Sequence, residues 1–423
     1  MTYAEAAAYL DSLKPGGMKM GLARMQRILA LCGNPERSLK TVHIAGTNGK
    51  GSTARMMQSI CTAAGYRTGL YISPEVTGLR DTITINGEPI PETDFAQLTD
   101  ELRAHAGDMG ETGGLSAFEA ATAIALLYFA REHTDLCVIE CGLGGRDDAT
   151  NVIPAPLVAV LTPIALDHTA MLGGTVEEIT ANKCGIMKPP CAVVCAPGQG
   201  PEALGVILER AAQLGLTVYI PNSAGAPVRE AVPGRTSFVQ GGRLYTVPLT
   251  GVFQRDNALT AIETVNCLRR QGFLITEEAV QQGLADAVLP CRQEVLRRQP
   301  LVMMDGAHNP HGVARLAETL RQQAAGEDLT LLIGMLRDKD TAACVHLLQP
   351  YCRRVVCCTP ENPRALPAAE LAAQFSPGIP LRVCPEPRAA LTMAREWQPK
   401  AGLLVAGSFY LCATLRPGLI GIV

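Results

Sequence analysis

Apolar residues in the first half of the chain form short runs, and these runs alternate with stretches of helical periodicity. The apolar runs lie at 41–46, 68–73, 135–141, 157–164 and 191–197. The helix-periodic stretches lie at 51–64, 92–106, 117–131, 175–187 and 201–214. Because the runs are apolar at consecutive positions, both faces of each predicted strand are covered. This alternation predicts an α/β fold with a mostly parallel sheet.

Residues 236–248 (TSFVQGGRLYTVP) have a different pattern. Two short β-type stretches flank the dipeptide Gly241-Gly242, which favours a tight two-residue turn. We therefore expect a β-hairpin here, as a small antiparallel element beside the main sheet.

The strand–helix alternation begins again near residue 300. Further apolar runs lie at 301–307, 329–335, 354–359, 381–385 and 403–408. They predict a second, smaller, Rossmann-like α/β domain. A charged, proline-flanked segment at 290–300 precedes it, so the predicted domains are 1–290 and 295–423.

Composition narrows the function classes. The 423 residues are 47% hydrophobic and 18% charged with a net charge of −3, which argues against a disordered chain and against a nucleic-acid binder. No apolar run approaches the roughly 20 residues of a membrane span, and residues 1–14 resemble an amphipathic helix rather than a signal peptide. These observations predict a soluble cytoplasmic enzyme of about two domains, and they leave its reaction open.

The fifteen cysteines do not form a recognisable framework. Their number is odd, no C-x-x-C pair occurs, and most lie in apolar runs such as 136–141 and 191–195. We therefore expect buried thiols rather than disulfides. The alternative, a zinc site, lacks the usual ligand spacing.

The most informative segment is VHIAGTNGKGSTARMMQSICTAAG, residues 42–65. A predicted strand runs into a glycine-rich loop that carries Lys50 and Ser52, and a predicted helix follows. Backbone N–H groups at such a helix start bind phosphate, while a lysine and a hydroxyl contact phosphate or Mg²⁺. The spacing departs from G-x-x-x-x-G-K-[ST], because Gly51 separates Lys50 from Ser52. This segment alone also fits a P-loop kinase or GTPase.

Two polar residues follow other predicted strands. Glu140 ends the run 135–141, and His168 follows the run 157–164. Ligands bind at the carboxyl ends of parallel strands, and a carboxylate there suits Mg²⁺. The alternatives are a structural ion pair for Glu140 and an ordinary surface or core histidine for His168.

The loop GTNGKGS resembles that of folylpolyglutamate synthases and dihydrofolate synthases, within the Mur ligase family. Further segments resemble the same enzymes in the same order along essentially the whole chain. They are 73–90, 115–130, 139–153, 165–173, 182–189, 253–261, 289–292, 305–312, 334–340, 363–371 and 405–411.

This resemblance implies an ATP-dependent amide ligase that adds L-glutamate to a folate or dihydropteroate carboxylate, with release of ADP and phosphate. ATP would convert the carboxylate into an acyl phosphate, which the amino group of glutamate then attacks. The first step brings two anions together and needs Mg²⁺ and cationic groups. The second needs water excluded, so we expect a cleft that closes between two domains. The resemblance also implies a monomer.

The resemblance assigns roles to individual residues. It implies ATP binding by Gly46, Thr47, Asn48, Gly49, Lys50, Gly51, Ser52, Asn257, Arg292 and Asp305. It implies metal binding by Ser73, Glu140 and His168, and catalytic roles for Lys50, His168 and Lys183, the last of which is often carbamylated in the family. Pterin would contact Ser116, Phe118, Glu119, Asp148, Ala149 and Thr150, and the incoming amino acid would contact His308 and Ser408.

The loop after Pro74 departs from the family pattern. It carries Glu75-Val76 and Asp81-Thr82 where the family usually has His-Leu and Glu-Arg, with Arg80 as a possible replacement cation. The acceptor therefore stays open at this point, including a Mur-type ligase that acts on another carboxylate. Only 45 residues precede Gly46, too few for the nucleotide-sugar domain of peptidoglycan ligases. A P-loop kinase or NTPase would not explain the second domain, and a non-catalytic binder would not explain the retained site residues.

Overall fold

The computed structural model describes residues 1–14 and 20–420. The chain divides into two compact units, each of which is described by itself. The first comprises Met1–Pro74, Gly78–Ala224 and Asp256–Asp286, and the second comprises Glu75–Thr77, Gly225–Arg255 and Ala287–Val423. The second unit thus draws on two internal segments as well as on the C-terminal part of the chain.

The first unit contains an α/β sheet with helices on both sides. Its strands are β1 (Thr41–Ala45), β2 (Thr68–Tyr71), β3 (Ile83–Ile85), β4 (Glu88–Pro89), β5 (Leu136–Glu140), β6 (Val158–Leu161), β7 (Ala192–Cys195) and β8 (Val218–Tyr219). Its helices are α1 (Tyr3–Leu13), α2 (Ala23–Leu31), α3 (Lys50–Ala63), α4 (Glu92–Ala104), α5 (Ala117–Arg131), α6 (Thr169–Leu172), α7 (Val176–Lys183), α8 (Pro201–Gln213), α9 (Phe253–Arg270) and α10 (Glu277–Ala285).

The sheet order is β4-β3-β2-β5-β1-β6-β7-β8. Strands β2, β5, β1, β6, β7 and β8 are parallel, whereas β3 and β4 form an antiparallel edge. Strands β1, β2, β5 and β6 are buried at every position, which is why each appears in the sequence as a continuous apolar run. The predicted mostly parallel sheet is confirmed.

The second unit contains two sheets. Its strands are β9 (Val228–Val232), β10 (Arg235–Gln240), β11 (Arg243–Val247), β12 (Glu294–Arg298), β13 (Leu301–Asp305), β14 (Leu329–Ile333), β15 (Arg354–Cys357), β16 (Leu381–Val383) and β17 (Gly402–Ala406). Its helices are α11 (Pro310–Gln323), α12 (Thr341–Leu348), α13 (Ala368–Ala372), α14 (Pro387–Trp397) and α15 (Phe409–Ile420).

The small sheet has the order β11-β10-β9 and is antiparallel, so the predicted hairpin at Gly241-Gly242 is confirmed and gains a third strand. The larger sheet has the order β12-β13-β17-β14-β15-β16. It is parallel except for β12, which pairs antiparallel with β13. The charged segment 290–300 therefore contains an edge strand that the sequence pattern did not predict.

None of the fifteen cysteines, all of which lie in the described residues, forms a disulfide, and most are buried. Among residues 1–14 and 20–420, no single helix has the length and apolar content to cross a membrane. Two successive helices, 106–112 and 117–131, together have that length and apolar content, but they are strongly bent relative to each other.

Candidate active site

The glycine-rich loop connects β1 to α3, as its sequence predicts. Gly46 and Gly49 have φ values of 154° and 87°. Residues other than glycine rarely adopt this region of backbone conformation. A Cβ atom on Gly46 would lie 1.9 Å from Thr162 Oγ1, and one on Gly49 would lie 2.6 Å from Asn257 Oδ1. Glycine is thus required at both positions, and Asn257 on α9 lies directly against the loop.

The loop is held by the segment after β6. The N–H groups of Thr47 and Asn48 both donate to the Pro163 carbonyl, at 2.9 and 3.2 Å. The Thr47 hydroxyl donates to the Ala165 carbonyl and accepts from its N–H group, both at 3.0 Å. Gly51 and Ser52 follow in the buried first turn of α3. The loop is therefore preorganised with the start of a helix behind it, an arrangement that binds anions.

Lys50 lies over this loop. Its Nζ donates to the carbonyls of Gly46 and Thr47 at 3.1 and 3.3 Å, and lies 4.0 Å from Glu140 Oε1. A fixed ammonium group at a phosphate loop offsets the charge of bound phosphate.

Ser73 and Glu140 come together at the ends of neighbouring strands. The Ser73 N–H donates to Glu140 Oε2 at 3.2 Å, and the Glu140 side chain is buried. A carboxylate and a serine hydroxyl are hard oxygen donors of the kind that Mg²⁺ prefers. Among the described residues, no group of three His, Cys, Asp or Glu side chains could hold a metal ion. The residues present therefore fit Mg²⁺ that is shared with substrate phosphates, its usual coordination in phosphoryl-transfer sites.

His168 lies in the segment that follows β6, at the start of α6, with a φ of 51°. Its Nε2 lies 3.8 Å from Asp167 Oδ1. The structure thus places His168 a few residues beyond the contacts that hold Thr47. A metal ion shared by His168, Ser73 and Glu140 stays a prediction.

Lys183 is buried at the end of α7 and donates from Nζ to the Gly46 carbonyl at 2.9 Å. Burial, with repulsion from Lys50, lowers the pKa of Lys183 to about 7. A large neutral fraction therefore exists at neutral pH, and carbamylation requires the neutral amine.

The residues expected to hold the acceptor lie at the start of α5 and in the loop after β5. Ser116 and Glu119 form the capping box of α5, in which Glu119 Oε2 accepts from the Ser116 N–H at 2.7 Å. Glu119 Oε1 also accepts from Arg24 Nε at 2.8 Å. Sequence reasoning missed Arg24, since α2 carries no motif that points to this site.

Phe118 lies between β2 and the loop after β5. Its ring stacks on Tyr71, with 6.0 Å between the ring centroids. A Cβ atom on Gly142 would lie 2.4 Å from Phe118 Cζ, so the loop passes directly against the ring. Tyr71 was not predicted, although it ends β2, two residues before Ser73.

Asp148 is buried in that loop and accepts three hydrogen bonds. They come from Leu143 N at 2.7 Å, Thr150 N at 3.0 Å and Thr150 Oγ1 at 2.5 Å. Burial raises the pKa of Asp148, while the hydrogen bonds from Thr150 and Leu143 lower it. Ala149 and Thr150 are also buried, in the 3-10 helix that follows.

Asn182 positions the same loop from α7. Its Oδ1 accepts from the Gly145 N–H at 3.0 Å, and its carbonyl accepts from the Arg146 N–H at 2.9 Å. Asn182 lies in the segment 182–189, in which the resemblance assigned a role only to Lys183. The structure gives it a positioning role.

Arg80, the possible replacement cation, points elsewhere. Its Nη1 donates to the Ile90 carbonyl at 3.0 Å, its Nη2 lies 3.6 Å from Glu92 Oε1, and its guanidinium lies 5.5 Å from the Tyr3 ring centroid. Its charge is therefore committed to Glu92 and the Tyr3 ring.

In the second unit, Phe409 is the centre of the predicted site residues. The Arg292 guanidinium lies 4.1 Å from the Phe409 ring centroid, and the His308 ring lies edge-on to it at 5.9 Å. Ser408, which is buried, directly precedes Phe409 and accepts from Tyr410 N at 3.1 Å. Phe409 was not predicted, although it belongs to the segment 405–411.

Asp305, at the end of β13, accepts from Gln293 N at 3.1 Å and from Ala307 N at 2.5 Å. Burial raises the pKa of Asp305 to about 6, against the opposing effect of Arg292. The structure thus brings Asp305, Arg292 and His308 together in one unit.

Comparisons with known proteins agree with this geometry. The family model "Mur ligase middle domain" matches residues 44–265, and "Mur ligase, glutamate ligase domain" matches 291–409. The chain is 36% identical over 379 residues to the dihydrofolate synthase/folylpolyglutamate synthase of Bacillus subtilis, a match that covers 87% of this chain and 88% of that one.

Two solved structures are similar over nearly the whole chain. Escherichia coli FolC in complex with DHPP and ADP has a TM-score of 0.86 at 30% identity and covers 100% of this chain and 98% of that chain. Mycobacterium tuberculosis folylpolyglutamate synthase complexed with ADP and AMPPCP has a TM-score of 0.88 at 31% identity and covers 99% of both. The predicted fold is confirmed. The chain belongs to the Mur ligase family, in the branch formed by the folylpolyglutamate and dihydrofolate synthases.

Proposed function

We propose that this chain is an ATP-dependent carboxylate–amine ligase that adds L-glutamate to a folate or dihydropteroate. The observation that carries the proposal is the position of Lys50, held over the glycine loop within 4.0 Å of Glu140, which accepts from Ser73 N at 3.2 Å. A phosphate loop, a cation and hard oxygen ligands are thus adjacent. The peptidoglycan-type and kinase alternatives are not favoured, because the relatives are folylpolyglutamate and dihydrofolate synthases over most of their length.

In the first step, the acceptor carboxylate attacks the γ-phosphorus of ATP, and ADP leaves. The backbone of Gly46–Ser52 and the Lys50 ammonium hold the phosphates, while Asn257 and Asp305 contact the nucleoside. Ser73, Glu140 and His168 would hold Mg²⁺, which would neutralise charge on the phosphate oxygens. Lys50 and Arg292 add positive charge where negative charge develops.

In the second step, the amino group of glutamate attacks the acyl phosphate carbonyl, and phosphate leaves. His308 and Ser408, both next to Phe409, are proposed to orient the amino acid. Burial of Lys183 beside the Gly46 carbonyl supports a further proposal, that its neutral amine is carbamylated and acts as an anion at this site.

The acceptor is proposed to contact Ser116, Phe118, Glu119, Asp148, Ala149 and Thr150. We further propose that the protein acts as a monomer in the cytoplasm, where buried, reduced cysteines are stable. The division at 290–295 is proposed to separate the ATP-binding and glutamate-ligase functions.

The test is phosphate release by purified protein with ATP, Mg²⁺, L-glutamate and either dihydropteroate or tetrahydrofolate. We expect release that requires glutamate and a pterin together, and a product heavier by one glutamyl residue. ATP hydrolysis that does not require glutamate, or that does not respond to either pterin, would overturn the proposal. Use of one pterin, or of both, assigns the acceptor.

A further inference from the structure

A buried hydrogen-bond chain connects the central strand of the first unit to Asp148. His43, in the middle of β1, is completely buried, and its Nε2 lies 2.8 Å from Thr150 Oγ1. Thr150 Oγ1 in turn lies 2.5 Å from Asp148 Oδ1. The chain therefore runs from His43 through Thr150 to Asp148.

The direction of donation follows from counting protons. Asp148 accepts from two backbone N–H groups as well as from the Thr150 hydroxyl, and these hydrogen bonds favour the carboxylate against the opposing effect of burial on its pKa. The hydroxyl has a single proton, and this proton is used on Asp148. With an ionised Asp148, Thr150 Oγ1 accepts from His43, and the imidazole then carries its proton on Nε2.

The imidazole is neutral. Burial, with repulsion from Lys188, lowers the pKa of His43 to about 3. Lys188 itself donates to the carbonyls of Asn151 and Ile153, at 2.6 and 2.7 Å, and so holds the end of the same loop. The Nε2–H group is thus a neutral donor that retains its proton throughout the physiological pH range.

Packing alone does not account for a histidine at this position. Among the described residues, His43 Nδ1 has no hydrogen-bond partner although it is buried, and such an atom costs stability. Val42 and Ile44, on either side, fill the strand without that cost. The contact that only a polar side chain can make here is the one to Thr150, with the Cys141 thiol also close, at 3.2 Å.

We propose that His43 is a positioning residue for acceptor binding: through Thr150 it fixes the Asp148 carboxylate in the orientation that receives the pterin. The inference rests on the proposed function, because that function places the pterin against Asp148. His43 contacts neither nucleotide nor acceptor. It acts on the acceptor only through the orientation of Thr150 and Asp148.

The test compares His43→Leu with His43→Gln. Leucine removes the donor, whereas the glutamine amide reaches about as far as the imidazole Nε2 and can still donate. For His43→Leu we expect the KM of the pterin to rise about threefold to tenfold, the effect of one lost hydrogen bond, with the KM of ATP unchanged. His43→Gln should recover most of the pterin affinity.

Thr150→Val and Thr150→Ser supply a second pair at the other end of the contact. Valine keeps the shape and removes the hydroxyl, so we expect at least the same rise in pterin KM, whereas serine, which keeps the hydroxyl, should raise the pterin KM less than valine does. The double variant His43→Leu/Thr150→Val should have a pterin KM no higher than that of Thr150→Val alone, because both changes break the same hydrogen-bond chain. This pair keeps the test valid if His43→Leu does not fold.

Two outcomes overturn the inference while leaving the proposed function intact. They are a pterin KM that is unchanged in His43→Leu, and an equal rise in the KM values of pterin and ATP. An unchanged pterin KM in Thr150→Val would also overturn the inference, and it would in addition remove Thr150 from the proposed acceptor contacts. A failure of the proposed function is distinguishable, because the wild-type protein itself would then show no pterin-dependent release of phosphate.

Discussion

Lys50 and Lys183 donate to the same carbonyl oxygen, that of Gly46, at 3.1 and 2.9 Å. Two ammonium groups on one acceptor repel each other, which contributes to the lowered pKa of Lys183. The two lysines are thus not equivalent: Lys50 is partly exposed and close to Glu140, whereas Lys183 is buried. This asymmetry suits Lys50 to phosphate and Lys183 to a reaction of its neutral amine.

Replacement of Lys50 by alanine should reduce kcat by about 100-fold or more, because it removes a fixed positive charge from the transferred phosphoryl group. Steady-state phosphate release measures the effect. Lys400→Ala, at an exposed position in the other unit, is the matched control and should retain wild-type kcat. Turnover of Lys50→Ala at the wild-type rate would contradict the assignment of the phosphate loop.

Lys183 should make the stability of the protein depend on pH. Its folded pKa of about 7 lies below the unfolded value of 10.5. Between these values the unfolded state binds more protons, so this group makes the free energy of unfolding rise with pH, by at most about 1.4 kcal/mol per pH unit. The destabilisation of the folded protein by the buried Lys183 is complete below its folded-state pKa. It disappears as the pH rises to the unfolded-state pKa.

Urea unfolding of the wild type and Lys183→Met between pH 7 and pH 10 tests this contribution. The free energy of unfolding of the wild type should increase relative to that of Lys183→Met as the pH rises. A difference that does not change with pH would show that Lys183 keeps an ordinary pKa. Measured in bicarbonate, the intact mass should also show a carboxyl group on the wild type and not on Lys183→Met.

Glu140→Gln should raise the Mg²⁺ concentration for half-maximal activity about tenfold or more, since the amide retains the shape of the side chain but lacks its charge. The readout is a Mg²⁺ titration at saturating ATP. Glu88→Gln, at an exposed position on β4, is the control and should leave the titration unchanged. An unchanged midpoint in Glu140→Gln would remove Glu140 from the metal site.

Gly49→Ala tests the close approach of Asn257. The new Cβ would have both a positive φ and a neighbour at 2.6 Å, so we expect loss of ATP binding and destabilisation by about 1–3 kcal/mol. Gly33 is a matched control because its φ is 86° and no atom lies within 4 Å of an added Cβ. Gly33→Ala should show the smaller backbone cost alone, with normal ATP binding. Equal effects of Gly49→Ala and Gly33→Ala on ATP binding and stability would mean that the approach of Asn257 to Gly49 contributes to neither.

Phe409→Leu should raise the KM of glutamate several-fold, because it removes the aromatic face that supports both Arg292 and His308. The expected size of this rise in KM follows from the cation–π contact, which contributes about 0.5–2 kcal/mol. Tyr410→Leu, at the next and more exposed position, is the control. Unchanged glutamate kinetics in Phe409→Leu would separate this cluster from the amino-acid site.

Sequence predicted the parts of the fold that depend on local pattern. The buried strands β1, β2, β5 and β6 each lie within a predicted apolar run, because burial on both faces leaves a continuous signal. Strand β12 was missed because a half-buried, charged edge strand has no such signal. The membership of residues 225–255 in the second unit was also hidden, since it depends on packing between distant segments.

The candidate site divides in the same way. Lys50 and Glu140 were predictable because a loop motif or a strand end marks their positions. Arg24, Asn182 and Phe409 were not, because their importance comes from single contacts across the fold: with Glu119, with Gly145 and with Arg292. Arg80 shows the converse, since a plausible cation in sequence is committed to Glu92 and Tyr3 in the structure.

The central claim is that ATP activates the acceptor carboxylate, and the fate of the carboxylate oxygens tests it most directly. A pterin acceptor labelled with heavy oxygen in that carboxylate is incubated with ATP, Mg²⁺ and L-glutamate, and the released phosphate is analysed by mass spectrometry. Passage through an acyl phosphate predicts one labelled oxygen in the phosphate for each amide bond formed. Unlabelled phosphate, released while the labelled acceptor is consumed, would contradict the account.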